Sequence, residues 1–139
     1  MKLKATILGC ALTLFSTAYS AGNHHVYPQD KSLSSTVQPA VQAKYAGFCE
    51  IEIINNSFDD VRVSGVFDDG IPLIPFSIYS FEGPHYISLF YYGYCHYGMN
   101  LFIDTYSGYN IYSAYTPRET TVRIYPYLKN KVKAELLKK

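Results

Sequence analysis

The chain has 139 residues, of which 48% are hydrophobic and 17% aromatic, and its formal net charge is +1 at pH 7. Between residues 45 and 127, nine acidic side chains face three arginines, so this part carries about −6. A nucleic acid is therefore disfavoured as a partner, because phosphates require a basic face.

The first twenty residues, MKLKATILGCALTLFSTAYS, have the layout of a secretory signal peptide. Two early lysines precede an apolar stretch, residues 5–15, that is well short of the roughly 20 residues needed to span a bilayer. We expect cleavage after Ser20, with the bond after Ala18 as a second option. The protein is therefore predicted to be exported to the periplasm, the outer membrane or the extracellular space.

Cys10 raises the question of lipidation. Ile7-Leu8-Gly9-Cys10 is similar to a lipoprotein signal box, in which the cysteine becomes the lipidated first residue of the mature chain. The apolar stretch continues past Cys10, so we expect this residue to be removed with the signal.

The remaining sequence divides into three parts. Residues 21–44 are rich in Ser, Gln, Asn and Pro without apolar periodicity, which predicts a flexible arm. Residues 45–128 contain short runs of β-branched and aromatic residues separated by turn residues, which predict about seven strands. Residues 129–139, KNKVKAELLKK, form a basic tail, which we expect to contact anionic lipid at a membrane surface or an acidic protein.

Two cysteines are predicted to form a disulfide. Cys49 alternates with Ile51 and Ile53 on the apolar side of one strand. Residues 85–96, taken as one strand, place Cys95 on the side with the aliphatic residues. An exported chain favours a disulfide, which the chain-entropy account values at roughly 4 kcal/mol, over a metal thiolate pair or a redox thiol.

These patterns predict an all-β fold, namely a small disulfide-linked antiparallel β-sandwich. The cysteine pair and the strand number resemble immunoglobulin-like sandwiches in architecture. The chain contains no tryptophan, whereas the immunoglobulin signature places one between its cysteines.

Fifteen tyrosines and no tryptophan are the most unusual feature of the composition. Tyrosine combines a large rigid ring with a hydroxyl, which suits recognition surfaces. Tyrosine also covers solvated sheet faces, where β-propensity favours it, and this is the alternative interpretation. The predicted binding face consists of Tyr86, Tyr92, Tyr94, His96, Tyr112, Tyr125 and Tyr127.

The sequence offers one candidate metal site, at His24. If cleavage followed Ala21, the mature chain would begin Gly22-Asn23-His24, and its amino terminus, two amides and imidazole would suit copper or nickel. Tyr19 is bulky for the position three residues before that bond. We therefore predict no metal and no cofactor.

No catalytic motif is present in the sequence. It lacks a Gly-x-Ser-x-Gly segment, paired carboxylates and a phosphate-binding glycine loop, so we predict that the protein is not an enzyme. The predicted function is a non-enzymatic interaction or structural module of the cell envelope that binds protein partners, as an accessory subunit of a larger envelope or secretion assembly. The alternative is a free secreted or periplasmic protein that recognises a glycan or a small ligand on its tyrosine face.

Overall fold

A computed structural model describes residues 23–28, 48–126 and 132–138. Over these ranges the chain is all-β, as predicted, and it contains no α-helix. None of the described residues therefore belongs to a helix long and apolar enough to cross a membrane. The described strands are β1 (His24–His25), β2 (Glu50–Asn55), β3 (Val61–Phe67), β4 (Phe76–Ile78), β5 (His85–Ser88), β6 (Phe90–Tyr91), β7 (Tyr94–Cys95), β8 (Gly98–Thr105), β9 (Asn110–Pro117), β10 (Thr120–Pro126) and β11 (Val132–Lys138).

These strands form two main sheets and a short hairpin. The first sheet has the order β1-β5-β2-β10-β11, the second has the order β4-β3-β8-β9, and β6 pairs with β7. The second sheet is antiparallel throughout. The first sheet is mixed, because β1 pairs with β5 and β2 with β10 in parallel. The prediction of antiparallel sheets is thus only partly confirmed, and the described strands exceed the predicted seven. An immunoglobulin-like arrangement stays a prediction.

The core consists of aliphatic side chains that alternate along the central strands. β2 buries Ile51 and Ile53, as the alternation predicted, and β3 buries Val61 and Val63. Each such side chain contributes about 1.5 to 3 kcal/mol when fully buried. The same cluster includes Leu73, Ile78, Ile87, Leu89, Met99, Leu101, Ile103, Val122 and Ile124.

Residues 85–96 are not one strand, so that prediction is wrong. The chain reverses at Tyr92 and Gly93, whose φ angles are +53° and +83°, between the register partners Tyr91 and Tyr94. A two-residue hairpin turn with positive φ at both central positions matches the twist of the flanking strands. The predicted alternation of buried residues holds as far as Tyr91 and ends at this turn.

The predicted disulfide is confirmed. Cys49 and Cys95 are bonded, with their Cα atoms 5.7 Å apart. Two backbone hydrogen bonds lie beside the disulfide. The Leu89 amide donates to Cys49 O at 2.8 Å, and the His96 amide donates to Leu89 O at 3.0 Å. The hairpin formed by β6 and β7 is therefore fixed to the start of β2.

The N-terminal segment differs from the flexible arm predicted for residues 21–44. β1 pairs with β5, and Tyr27 belongs to the core with 6% of its surface exposed. Residues 29–44 and the predicted signal peptide at 1–20 lie outside the described residues. A two-residue strand is too short for alternation to reveal it, which is why the sequence predicted an arm here.

The C-terminal residues also extend the domain beyond the predicted boundary at residue 128. β11 pairs antiparallel with β10 along its whole length and half-buries Leu136 against the core. Lys133 and Lys138 are exposed on this strand, which lies last in the sheet. Lysines on an edge strand discourage pairing with other sheets. The predicted basic tail is therefore, over residues 132–138, the edge of the first sheet.

Candidate functional site

The turn between β6 and β7 holds a tyrosine in an unusual backbone conformation. Hairpins of this type normally place Asn, Asp or Gly at the first turn position, because the left-handed region costs other residues about 1 to 2 kcal/mol. Tyr92 occupies it here with φ +53° and keeps 68% of its surface exposed. We use the name tyrosine hairpin for residues 90–96, whose outermost rings are those of Tyr92 and Tyr94.

Four aromatic rings stack in series from the surface of the tyrosine hairpin into the core. The Tyr94 ring lies 4.1 Å from that of His96, which lies 3.5 Å from that of Tyr91. The Tyr91 ring lies 4.3 Å from that of Tyr27, with an interplanar angle of 9°. Phe67 packs edge-on against both inner rings. Aromatic pairs contribute about 0.5 to 1.5 kcal/mol beyond their buried area, so the exposed Tyr94 ring rests on a well-supported base.

Hydroxyl groups tie the turn of the hairpin to the loop that follows β3. The Tyr27 hydroxyl donates to Asp69 Oδ2 at 2.6 Å and lies 2.8 Å from the Tyr92 hydroxyl. A phenol has one proton, which Tyr27 uses on Asp69, so Tyr92 is the donor in the second bond. The hydrogen bond from Tyr27 lowers the pKa of Asp69 and, in return, raises the pKa of Tyr27. The Asp69 carboxylate is therefore ionised at neutral pH and anchors both tyrosines.

Tyr91 supports the stack from inside the protein. It is 1% exposed, and burial, followed by the charges of Asp69 and Asp68, raises its pKa to about 12. Within the described residues its hydroxyl makes no well-formed hydrogen bond, although the Asp68 backbone is close enough to influence its pKa. Tyr91 is thus neutral and acts as packing surface under the exposed rings.

Two more tyrosines stand beside the hairpin. The Tyr115 hydroxyl donates to Asp68 Oδ2 at 3.3 Å, and 48% of that side chain is exposed. Tyr97 is still more exposed, and the Arg118 guanidinium lies 5.3 Å from its ring centroid. This is a cation–π contact, so the Tyr97 ring accepts a cationic group. The surroundings of the hairpin are thus aromatic and carry two carboxylates.

The structure brings only part of the predicted binding face together. Tyr92, Tyr94 and His96 belong to the tyrosine hairpin. The others lie elsewhere: Tyr86 on β5 donates to Glu52, Tyr112 on β9 bonds with Thr116 and packs against the core, Tyr125 on β10 donates to Glu135, and Tyr127 lies outside the described residues.

Sequence reasoning missed two partners of the hairpin. Tyr27 lies in the predicted arm. The only sequence signal for its contact was its position two residues after His25, since alternate residues of an extended segment point to the same side. In the structure both side chains face the domain. Asp69 was interpreted as a turn residue, which it also is, since its Oδ1 accepts the Ile71 amide at 3.1 Å. A turn residue and a core contact 42 residues earlier cannot be connected from local patterns.

The copper or nickel hypothesis at His24 is untested, because Gly22 lies outside the described residues. The His24 ring stacks on that of Tyr86 at 5.0 Å. In the part of the chain that the structure describes, no three His, Cys, Asp or Glu side chains are grouped to hold a metal ion.

No family model, curated protein or solved structure matches this chain. A functional proposal therefore depends on the chemistry of the tyrosine hairpin. This site combines exposed ring faces, a Tyr92 hydroxyl with a free acceptor position and two nearby carboxylates on a fixed support. Such a set of groups can recognise a partner without any chemical step.

Proposed function

We propose that this protein is a non-enzymatic, exported interaction module of the cell envelope that contacts a protein partner through its tyrosine hairpin. The four-ring stack that ends at the exposed Tyr94 is the observation that carries the proposal. Rings that are already fixed lose little conformational entropy on binding, so more of their contact energy becomes affinity. Tyrosine is also among the residues that dominate binding energy in protein interfaces.

Export is supported by two independent features. Residues 1–20 have the layout of a signal peptide, and the disulfide is consistent with an oxidising compartment. An exported module without a recognisable catalytic motif fits the role of an accessory subunit in a larger envelope or secretion assembly. An immunoglobulin-like sandwich would suit this role, because its loops and hairpins present contact residues on a rigid support.

A second candidate is a free secreted or periplasmic protein that recognises a glycan on the same hairpin. The observation that favours it is the exposed Tyr94 ring on a hairpin whose Tyr92 hydroxyl is linked through Tyr27 to the Asp69 carboxylate. A sugar stacks on one ring face and donates its hydroxyl protons to carboxylates, so this ligand needs few contacts. A protein partner would instead cover the wider aromatic surface that includes Tyr97 and Tyr115.

The proposal is tested by the native size of the protein in a gentle detergent extract of its producing cells. Sedimentation with antibody detection compares the wild type with Tyr94→Ala and with Tyr109→Ala, which removes a still more exposed ring from the turn between β8 and β9. We expect the wild type and Tyr109→Ala to migrate in a large complex, and Tyr94→Ala to migrate as a free subunit.

Two outcomes would count against a protein partner. Migration of the wild type near the mass of a monomer or dimer would favour the glycan-binding alternative, and an array of glycans would then be screened against the same variants. Equal retention of Tyr94→Ala and Tyr109→Ala in the complex would place the contact on another surface.

A further inference from the structure

Residues 23–28 join the two sheets along one side of the molecule. β1 adds to the first sheet beside β5, while the His25 ring stacks at 3.3 Å on Phe76 of β4, in the second sheet. Tyr27 then reaches Asp69 in the loop after β3. We name residues 23–28 the N-terminal strap, because they connect the β1 edge of the first sheet with the β4 edge of the second.

The strap is held at its centre by a pair of histidines. His25 Nε2 lies 2.9 Å from His85 Nδ1, and His85 is 3% exposed. His85 Nε2 lies 3.3 Å from Glu82 Oε1, within ion-pair distance but without a well-formed hydrogen bond. One assignment of protons suits all three groups: His25 donates to His85, and the second nitrogen of His85 carries the proton that faces Glu82.

This arrangement suits two neutral rings and does not suit two charged ones. With both rings charged, the N–H groups at His25 Nε2 and His85 Nδ1 would point at each other, and repulsion would replace the hydrogen bond. A proton on His25 would place a positive charge in a partly buried position beside His85 and near His24, with only Glu82 to offset it. The fourth neighbour, Phe76 of β4, is apolar.

Burial, followed by the charges of His85 and His24, lowers the pKa of His25 from 6.5 to about 4, against the opposite effect of Glu82. The closed strap therefore binds fewer protons at His25 than a released strap between pH 6.5 and 4. By linkage, the contribution of this contact is fully present above pH 6.5 and decreases as the pH falls towards 4.

We propose that the N-terminal strap is an acid-released element that closes the side of the sandwich at neutral pH and detaches when His25 becomes protonated. His25 and Tyr27 lie two residues apart on the strap, so detachment also withdraws Tyr27 from the tyrosine hairpin. Asp69 then loses its donor, Tyr92 loses its acceptor and the ring stack loses its inner member.

Strap release also affects partner binding by the tyrosine hairpin, an effect that rests on the function proposed above. Without Tyr27, the exposed rings of the hairpin lose the innermost part of their support, so partner binding weakens in acid. The release of the strap itself does not depend on that function, and it is measured separately.

The experiment is amide hydrogen exchange by NMR on the mature chain at pH 7.5, 6 and 5, expressed as protection factors so that intrinsic exchange rates are removed. Strap amides at residues 24–27 are compared with β8 amides at residues 99–103. Titration at His25 alone increases strap opening about 30-fold between pH 7.5 and pH 5, since its pKa is about 4 when closed and 6.5 in ordinary surroundings.

Two variants separate this mechanism from general acid instability. His25→Phe keeps a ring against Phe76 that cannot be charged, and His25→Gln is measured if that variant does not fold. His24→Phe is the control, because His24 is exposed and stacks on Tyr86 instead. We expect acid to lower strap protection in the wild type and, by a somewhat smaller factor because the charge of His24 also lowers the pKa of His25, in His24→Phe. Acid should leave protection almost unchanged in the His25 variants.

The inference is overturned if strap protection in the wild type stays constant down to pH 5. It is equally overturned if the His25 variants lose protection as the wild type does, or if strap and β8 amides lose it together. These outcomes leave the proposed function intact, because the sedimentation of Tyr94→Ala is measured at pH 7.5, where the strap is closed.

Discussion

The molecule presents exposed aromatic side chains at both ends of β3, but only at one end does the structure show them supported by a series of rings that reaches the core. At the tyrosine hairpin, Tyr94 continues a series of stacked rings that reaches the core. At the opposite end the exposed rings are those of Phe58, Tyr79, Phe81, Tyr106 and Tyr109, and the contact described among them is an edge-on pair between Phe58 and Phe81 at 5.1 Å. Exposure alone therefore does not distinguish the two ends, whereas the support beneath the rings does.

The opposite end is stabilised through its backbone instead. The Asn55 amide group, fully buried, donates to the carbonyl oxygens of Asp59, Ile78 and Tyr79, and its Oδ1 accepts from Ser57 at 2.7 Å. These bonds fix the path of the loops, while the aromatic side chains are held by local contacts such as the Tyr106 hydroxyl with Ser77 Oγ at 2.6 Å. This end therefore combines fixed loops with rings held only locally, whereas the tyrosine hairpin fixes both its loop and its rings.

The largest expected effect comes from removing the disulfide that fixes the hairpin. Replacing Cys49 and Cys95 together by alanine should lower the free energy of unfolding by roughly 4 kcal/mol, because the unfolded chain regains the freedom of the closed loop. Urea unfolding of the oxidised wild type and the variant measures this difference. If the reduced and oxidised wild type have the same free energy of unfolding, the disulfide does not stabilise the protein, and the prediction is wrong.

A smaller loss is expected from the opposite end. Asn55→Ala leaves the buried carbonyl group of Ile78 and the partly buried one of Tyr79 without this donor, at a cost of about 1 to 3 kcal/mol in unfolding free energy. We expect this variant to keep full partner binding, because the ring stack is untouched. Asn110→Ala, at an exposed amide, is the control. Lost binding in a folded Asn55→Ala would show that the two ends are not independent.

The anchor of the tyrosine hairpin has a pH dependence of its own. Asp69 has a pKa below its ordinary value of 3.8, chiefly because Tyr27 donates to it. That stabilisation is present above pH 3.8 and is lost as the pH falls through the lowered pKa. Tyr27→Phe should therefore lower stability at neutral pH and remove this part of the acid dependence, as measured by urea unfolding from pH 7 to pH 2. Tyr125→Phe, at an exposed hydroxyl, should change neither.

The smallest expected effects separate folding from binding. Gly93 and Gly108 have φ angles of +83° and +87°, and a Cβ on either would meet no atom within 4 Å. Alanine at each position should therefore cost only the conformational penalty, about 1 to 2 kcal/mol. We expect Gly93→Ala alone to weaken partner binding, since it distorts the turn that presents Tyr92. Equal loss of binding in both variants would mean that general stability, and not ring position, controls the contact.

The sequence contains enough information for the framework and too little for the site. The alternation of residues correctly placed Ile51 and Ile53 in the core. It also placed Cys49 and Cys95 on the apolar sides of their strands, which predicted the disulfide between them. The turn at Tyr92 was not predicted, because tyrosine is not a typical turn residue. Its left-handed conformation is stabilised by contacts with residues distant in sequence. Those contacts depend on tertiary packing, which local patterns do not report.

The same limit applies to both ends of the described chain. β1 consists of two residues, and the contacts that hold it are made by His25 and Tyr27 with partners about 40 to 60 residues away in sequence. β11 combines lysines with scattered aliphatic residues, which is compatible with a helix, a tail or an edge strand. Pairing with β10 decides among these, and pairing is a property of the whole sheet.

Site-specific photo-crosslinking in the producing cells tests the central claim most directly. A benzophenone amino acid replaces Tyr94 in one strain and Tyr109 in another, so an aromatic side chain is kept at both ends of the molecule. We predict a discrete adduct of higher mass from position 94 and none from position 109. An adduct from position 109 alone, or none from position 94, would contradict the assignment of the tyrosine hairpin as the contact surface.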